Sequence, residues 1–325
     1  MNSPADTLIK IDTTEIPEEN LSEPQETAPE TTPDEGMVDY GEFVFYLPSD
    51  APSPVPVIYI LDPHADGNLP VGMYKSLADA YGFALAGSML SQNGQTIEEG
   101  LQIFSDMRTE VSRIVNVDEQ RTYILGFSGG ARAAFYFAMD FPDIACVIGA
   151  GAGFPQAEYI DKGNFDYIGM VGNADFNLNE LLNTERKLSK SGFNTTLITF
   201  DGGHHWPQPE VMQEAFLILN LNAMKSGTLA ADHQIIAQAY NLYDEKIAEL
   251  RNAEWHFGAE QLTGRAINVL DELTDTESFG QIAAEIKQNP EYNRQLKERV
   301  NYLQKEMGRQ YVFMTSFTSR DPNWW

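Results

Sequence analysis

The sequence has a single cysteine, Cys146, which lies in the apolar run of residues 144–148. A lone cysteine in such a run is a small buried hydrophobe, so neither a disulfide nor a cysteine zinc site is available within the chain. Long apolar runs are also lacking, and no segment approaches the length of a transmembrane helix. No signal peptide is recognisable at the start of the sequence.

Basic residues are scarce, with 21 Lys and Arg against 48 Asp and Glu and a net charge of −27. Such a chain repels nucleic acid and anionic membrane surfaces, so we expect no nucleic-acid partner and no direct insertion into a membrane. The length of 325 residues is enough for one large α/β domain with a smaller appendage.

Residues 1–36 have almost no aliphatic clusters, and one basic residue, Lys10, accompanies ten acidic ones. The acidic residues are Asp6, Asp12, Glu15, Glu18, Glu19, Glu23, Glu26, Glu30, Asp34 and Glu35. This composition cannot bury enough apolar surface to offset chain entropy, so it predicts a disordered acidic tether. Tethers of this kind often join a membrane anchor to an exported domain. We therefore expect a periplasmic or cell-surface protein whose leader is removed, with a cytoplasmic location as the alternative.

From Tyr40 onward, short apolar runs alternate with helical patterns. Strands are predicted at residues 43–47, 56–61, 83–86, 121–125, 146–149, 167–171 and 195–200. Helices are predicted at residues 74–81, 96–115, 131–139, 180–191 and 209–224. This alternation predicts an α/β domain over residues 37–226, with a mostly parallel sheet and helices on both faces.

Residues 227–325 show helical periodicity and no convincing strand, which predicts a C-terminal region of three or four helices. Apolar residues recur on one face of two of these helices. They are Ile236, Ala239, Leu242, Ile247 and Leu250 in the first, and Leu296, Val300, Leu303 and Met307 in the second. The sequence ends on Trp324 and Trp325. The region is a lid, a contact between copies of the chain, or a docking surface for a partner, and the sequence does not choose among these.

A serine stands on a glycine-rich turn between a predicted strand and a predicted helix. Ser128 lies in Gly-Phe-Ser-Gly-Gly, residues 126–130. A turn this tight leaves no room for Cβ atoms beside the serine, which explains the flanking glycines. The helix that follows directs its free N–H groups at the serine, where they stabilise developing negative charge. The pattern is typical of a nucleophile elbow.

A serine nucleophile needs a base, and the base needs an acid to orient it. Asp175 follows the predicted strand 167–171, and His204 follows the predicted strand 195–200. The order serine, acid, histidine is that of α/β-hydrolases. Asp201 is the alternative acid and His205 the alternative base.

The sequence resembles the α/β-hydrolase superfamily, in the branch of dienelactone-hydrolase-like and polyhydroxybutyrate-depolymerase/feruloyl-esterase-like enzymes. In that branch the catalytic histidine lies in a Gly-Gly-His-x-Trp-Pro loop, and residues 202–207 read Gly-Gly-His-His-Trp-Pro. The resemblance covers about residues 40–225. It implies an α/β-hydrolase fold, with His204 as the base and His205 in the variable position.

An oxyanion hole requires two backbone N–H donors, one after the nucleophile and one from the loop after the third strand. The first is Gly129. Members of the family usually show His-Gly in the second position, whereas this chain has His64-Ala65. The second donor is therefore Ala65 or Asp66, because Pro63 has no N–H.

Several polar residues follow strands at the same expected edge of the sheet. His64, Ser88 and Trp206 are predicted to contact the substrate, and Ser91 and Asn93 to line the pocket beside them. Asp62, His64 and Asp66 have a spacing that also suits a metal ion. We favour a metal-free site, because the serine mechanism is complete without a metal or any other cofactor.

These features predict a serine hydrolase. The favoured type is a carboxylic-ester hydrolase that acts on a small-molecule or polymer ester. A peptidase of the prolyl-oligopeptidase type is one alternative. Such peptidases carry a propeller before the hydrolase unit, where this sequence has the acidic segment 1–36. The other alternative is a non-catalytic binding or scaffold protein in which the C-terminal helices contact a partner or a second copy of the chain.

Overall fold

The structure of the protein is a computed structural model that describes residues 36–154 and 165–318. The predicted acidic tether, apart from Gly36, lies outside these residues, as do Trp324 and Trp325.

The described residues build an eight-stranded sheet in the order β1-β2-β4-β3-β5-β6-β7-β8. The strands are β1 (Met37–Asp39), β2 (Phe43–Tyr46), β3 (Val55–Leu61), β4 (Ala84–Ser88), β5 (Val117–Phe127), β6 (Ile144–Ala150), β7 (Asp166–Gly172) and β8 (Thr195–Phe200). Strand β2 pairs antiparallel with both β1 and β4, and the remaining pairs are parallel. The predicted mostly parallel sheet is confirmed. Strand β1 was not predicted, because three residues are too few to show a period.

Helices cover the sheet and continue beyond it. They are α1 (Asn68–Tyr81), α2 (Ile97–Ile114), α3 (Gly129–Asp140), α4 (Leu178–Lys190), α5 (Pro209–Lys225), α6 (His233–Asn252), α7 (His256–Leu270), α8 (Glu277–Gln288) and α9 (Pro290–Thr318). Helix α2 begins where its sequence indicates. Thr96 and Glu99 form a capping box in which the Thr96 hydroxyl accepts from the Glu99 N–H, and the Glu99 carboxylate accepts from the Thr96 N–H.

Alternation along the buried strands creates a separate apolar core on each face of the sheet. In β3, Ile58 and Ile60 join one core, and Tyr59 and Leu61 join the other. Helices α2 and α3 contribute to the second core. The first core extends through α1 and α5 into α6, α7 and α8, so the C-terminal helices share the core of one face of the sheet.

The predicted helical C-terminal region is confirmed as the four helices α6–α9 of the described chain. On the predicted face of α6, residues such as Ile236 and Ile247 are buried. The predicted face of α9 is different. Leu303 packs against the apolar cluster at the end of β7, whereas Val300 and Met307 are exposed. None of the described helices is long and apolar enough to cross a membrane.

Candidate active site

Strand β5 ends at a strained turn that presents the Ser128 hydroxyl. Ser128 has φ of +51°, which is uncommon for a residue with a side chain. The turn brings backbones so close that a Cβ on Gly126 would lie 2.2 Å from the Gly130 carbonyl oxygen. A Cβ on Gly130 would lie 2.1 Å from the Leu61 carbonyl oxygen. The glycines therefore allow the turn, and α3 starts directly after Ser128 with N–H groups that have no partner within the helix.

Two further loops bring an imidazole and a carboxylate to Ser128. The His204 Nε2 atom lies 3.0 Å from Ser128 Oγ, and His204 Nδ1 lies 2.9 Å from Asp175 Oδ2. The carboxylate can only accept a hydrogen bond when ionised, so Nδ1 carries the ring hydrogen and Nε2 is free to accept from the serine hydroxyl. The Asp175 side chain is 1% exposed and that of His204 is 22% exposed. The arrangement is a hydrogen-bonded chain from a buried carboxylate to an accessible hydroxyl.

The Asp175 carboxylate is fixed on both oxygens. Its Oδ1 accepts from the Asn177 N–H at 2.8 Å, and the Asn177 side chain donates to the Gly151 carbonyl oxygen at 2.8 Å. The loop after β7 is thereby tied to the end of β6, which holds the carboxylate in place beneath the imidazole.

The alternative acid and base make other contacts. The Asp201 carboxylate accepts from the Asn173 side chain at 3.1 Å and lies exposed. The His205 ring donates from Nδ1 to the Trp206 carbonyl oxygen at 2.8 Å. Among the described residues, Ser128 is therefore joined to His204 and through it to Asp175, and neither alternative residue takes part.

A buried carboxylate, Asp62, connects the loop after β3 with the histidine loop. Its Oδ1 accepts from the His64 N–H at 2.7 Å, and its Oδ2 accepts from Trp206 Nε1 at 2.9 Å. The Trp206 ring packs on Phe127 at a centroid distance of 5.1 Å, and Phe127 contacts the His204 ring at 4.9 Å. Trp206 is thus a buried support for the histidine loop.

The other residues of the loop after β3 are engaged locally. The His64 side chain is exposed. The Asp66 carboxylate accepts from the Leu69 N–H at the start of α1, at 3.3 Å. Both oxygens of Asp62 also accept hydrogen bonds from the protein. In the part of the chain that the structure describes, no group of His, Cys, Asp and Glu is arranged to hold a metal ion.

The two predicted oxyanion donors differ. Gly129 is the first residue of α3, so its N–H has no helical acceptor. Ala65 has φ of +60°, and its nitrogen lies 3.4 Å from the Asp62 carbonyl oxygen, a long hydrogen bond within the loop. The role of Ala65 stays a prediction.

The loop after β4 covers the elbow on another side. A Cβ on Gly129 would lie 1.8 Å from Asn93 Oδ1, so the Asn93 side chain rests on Gly129. A cavity of about 180 Å³ lies here, lined among others by Ser91, Asn93, Arg132 and Tyr136. The structure does not bring Ser88 to this cavity. Its buried Oγ accepts from the N–H groups of Leu90 and Ser91, and so shapes the loop.

Two residues near the site were missed by the sequence reasoning. The Phe176 ring is 63% exposed and lies 4.3 Å, centroid to centroid, from the His204 ring. Gln310 of α9 donates from Nε2 to the Phe176 carbonyl oxygen at 2.9 Å. An apolar residue directly after the predicted acid was a signal for Phe176. Nothing in the sequence signals Gln310, because its partner lies 134 positions away.

Neither a protein family nor a curated protein matches the sequence. Solved structures similar in fold include serine hydrolases and esterases. A fluorophosphonate-binding serine hydrolase of Staphylococcus aureus is 13% identical, with a TM-score of 0.44 over 55% of this chain and 91% of that one. An S-formylglutathione hydrolase of the same organism is 15% identical, with a TM-score of 0.46 over 55% and 89%. Esterase 2 of Thermogutta terrifontis, phosphonylated by sarin, is 12% identical, with a TM-score of 0.47 over 58% and 91%.

The predicted α/β architecture is confirmed, because the described residues form a mostly parallel sheet covered by helices, with a C-terminal helical region in addition. At these identities and TM-scores the similar structures carry no argument about chemistry. Any assignment of a reaction therefore rests on the geometry of the chain itself.

Proposed function

We propose that the protein is a serine hydrolase that cleaves carboxylic esters. The observation that carries the proposal is the hydrogen-bonded chain from Asp175 through His204 to Ser128, at 2.9 and 3.0 Å. Its members come from three loops at one edge of the sheet. The 3.0 Å distance suits proton transfer from Ser128 to His204, and the 2.9 Å distance suits a hydrogen bond by which Asp175 orients the imidazole.

In the proposed reaction, Ser128 Oγ attacks the acyl carbon while His204 Nε2 takes the hydroxyl proton. The bond to the leaving alcohol then breaks, and His204 returns the proton to the alcohol oxygen. This leaves an acyl group on Ser128. Water attacks that acyl group with His204 again as base, which releases the carboxylic acid and restores the serine.

Asp175 acts through the imidazole. Its buried carboxylate holds Nδ1–H and so keeps Nε2 free to accept a proton, and its charge stabilises the imidazolium that forms. The Asn177 contact keeps the carboxylate oriented. Because Asp175 has no other route to the substrate, its replacement should lower the rate constant kcat more than it changes KM.

The negative oxygen of the tetrahedral intermediate is stabilised by the N–H of Gly129, at the start of α3. The second donor in the proposal is the Ala65 N–H, which must give up its long contact to Asp62 to serve. The Asn93 carboxamide, which rests on Gly129, is a further polar group at this position.

Covalent labelling by a fluorophosphonate, with mass-spectrometric mapping of the modified residue, tests the proposal directly. We expect label on Ser128, none on the Ser128→Ala variant, and hydrolysis of p-nitrophenyl butyrate that falls by about 10⁴-fold or more in that variant. If the folded protein neither reacts with the fluorophosphonate nor hydrolyses the ester, the remaining alternative is a non-catalytic binding or scaffold protein. Faster cleavage of a prolyl p-nitroanilide than of the ester would favour the peptidase.

A further inference from the structure

A large cavity among the described residues does not belong to the candidate active site. It encloses about 790 Å³ between the edge strand β8, helix α5 and the C-terminal helices α6, α7 and α9. Ser128, Asp175 and His204 are absent from its walls. Its volume is in the range of sites that enclose a small organic molecule.

One part of the wall is apolar and aromatic. Leu250, Trp255, Phe257 and Leu262 of the C-terminal helices face it, together with Phe200 of β8. The Trp255 ring is 49% exposed, and it lies over Gly258, where a Cβ would approach its ring to 2.7 Å. Gly258 therefore makes room for a large apolar ring that is only half covered by protein. Such a surface suits the apolar body of a ligand.

The charge of the wall differs from that of the whole chain. Four basic residues line the cavity, Lys246, Arg265, Arg294 and Arg299, together with four acidic ones, Asp201, Glu214, Glu249 and Glu298. The chain as a whole has 48 acidic residues against 21 basic ones. The formal charges of the residues that line the cavity therefore balance, whereas the excess of negative charge on the whole protein repels anions.

Arg265 is a guanidinium with unused donors. It is 13% exposed and donates from Nη1 to Glu214 Oε1 at 2.7 Å. Neither Nε nor Nη2 forms a hydrogen bond with a described residue, and neither is fully enclosed by protein. Because a guanidinium has five N–H donors, most of those on Arg265 have no partner among the described residues, and Arg265 lines the cavity.

Two more cations of the wall, Arg299 and Lys246, form no ion pair with the residues that the structure describes. Arg299 lies 5.9 Å from the centre of the Tyr302 ring, and partial burial lowers its pKa from the usual value. A half-buried cation without a carboxylate partner gains more from an incoming anion than an exposed, paired one does.

We propose that this cavity binds an amphipathic carboxylate, whose head is held by Arg299 and the free donors of Arg265 and whose apolar body lies against Trp255. The fork of an arginine matches the two oxygens of a carboxylate. This site is separate from Ser128, so it exists whether or not the ester-hydrolase proposal holds.

The test is calorimetric titration of the full chain with three probes of equal length: octanoate, 1-octanol and octylammonium. We expect octanoate to bind about tenfold or more tightly than the other two. Arg299→Gln should weaken octanoate binding about five- to tenfold, with Lys246→Gln weakening it less. Arg113→Gln, on the exposed face of α2, is the matched control and should leave binding unchanged.

Arg265 is not the first choice of variant, because its loss leaves Glu214 buried without a cation and destabilises the fold. Equal binding of octanoate and octanol would overturn the charge recognition. Octanoate binding that Arg299→Gln does not change would place the ligand elsewhere, for example beside Ser128. The absence of octanoate binding to folded protein would overturn the proposal outright.

Discussion

In the sheet region, the candidate catalytic residues follow the carboxyl ends of strands. Ser128 follows β5, Asp175 follows β7 and His204 follows β8. Parallel strands bring such positions to one edge, so positions far apart in the sequence meet there. In the helical region α6–α9, charged and apolar residues recur with the helical period, but this pattern does not indicate where in the fold a functional site lies. The difference shows that the order of parallel strands indicates where functional side chains meet, whereas helical periodicity indicates only which residues share a face.

The two regions are nevertheless joined. The core on one face of the sheet continues into α6, α7 and α8. The ion pair between Glu214 of α5 and Arg265 of α7 crosses the junction, and Gln310 of α9 reaches the loop that carries Asp175.

The largest effect is expected at His204. His204→Ala should lower kcat for ester hydrolysis by about 10⁴-fold or more, because Ser128 loses its base. His205→Ala, next in sequence, and His233→Ala, at the start of α6, should each stay within a few-fold of the parent. Steady-state kinetics on p-nitrophenyl butyrate measures all three. Comparable losses in His204→Ala and His205→Ala would contradict the assignment of the base.

Glycines in the two regions should respond to the same substitution with opposite sign. Gly126→Ala should destabilise the protein by about 3 kcal/mol or more, since the new Cβ would lie 2.2 Å from the Gly130 carbonyl oxygen. Gly264→Ala, in the middle of α7 with no atom within 4 Å of its Cβ position, should stabilise it by about 0.5–1 kcal/mol. Urea denaturation gives both values.

A stable, fully folded Gly126→Ala protein would show that the turn at Ser128 is looser than the geometry indicates. A loss of stability in Gly264→Ala would instead mean that α7 is not packed as described.

The smallest effect tests whether the helical region contributes to catalysis. Gln310→Ala removes the hydrogen bond to the Phe176 carbonyl oxygen, in the loop beside Asp175 and His204. We expect kcat to fall about two- to fivefold with KM unchanged and with only a small loss of thermal stability, because one partly exposed hydrogen bond contributes about 1 kcal/mol. Gln304→Ala, exposed on the same helix, is the control. If the parent, Gln310→Ala and Gln304→Ala proteins have equal rates, the helical region does not contribute to catalysis through this hydrogen bond.

Much of the sheet region was predictable from the sequence because its signals are local. The helical pattern marked α2, and buried apolar runs marked the parallel strands. The glycine turn marked Ser128. Asp175 and His204 could be proposed because the chain order of the hydrolase residues follows from the order of the strands.

The rest depended on contacts between distant segments. Ser88 was expected in the pocket because it follows a predicted strand, but its hydroxyl is used inside its own loop. The link from Asp62 to Trp206 was hidden, since it shows no period or motif, and only the tertiary structure brings the Phe176 ring against that of His204. The predicted apolar face of α9 packs only around Leu303, because helical periodicity does not indicate what will cover it.

The sequence by itself determined most of the elements, the class of fold and the three candidate residues Ser128, Asp175 and His204, because these follow from local periodicity, turn geometry and chain order. Only the tertiary structure decided that His204 rather than His205 reaches Ser128, that Asp175 rather than Asp201 holds the imidazole, and that Arg265 faces a cavity. These outcomes are fixed by hydrogen-bond distances of about 3 Å between segments far apart in the chain, and no local pattern encodes such distances.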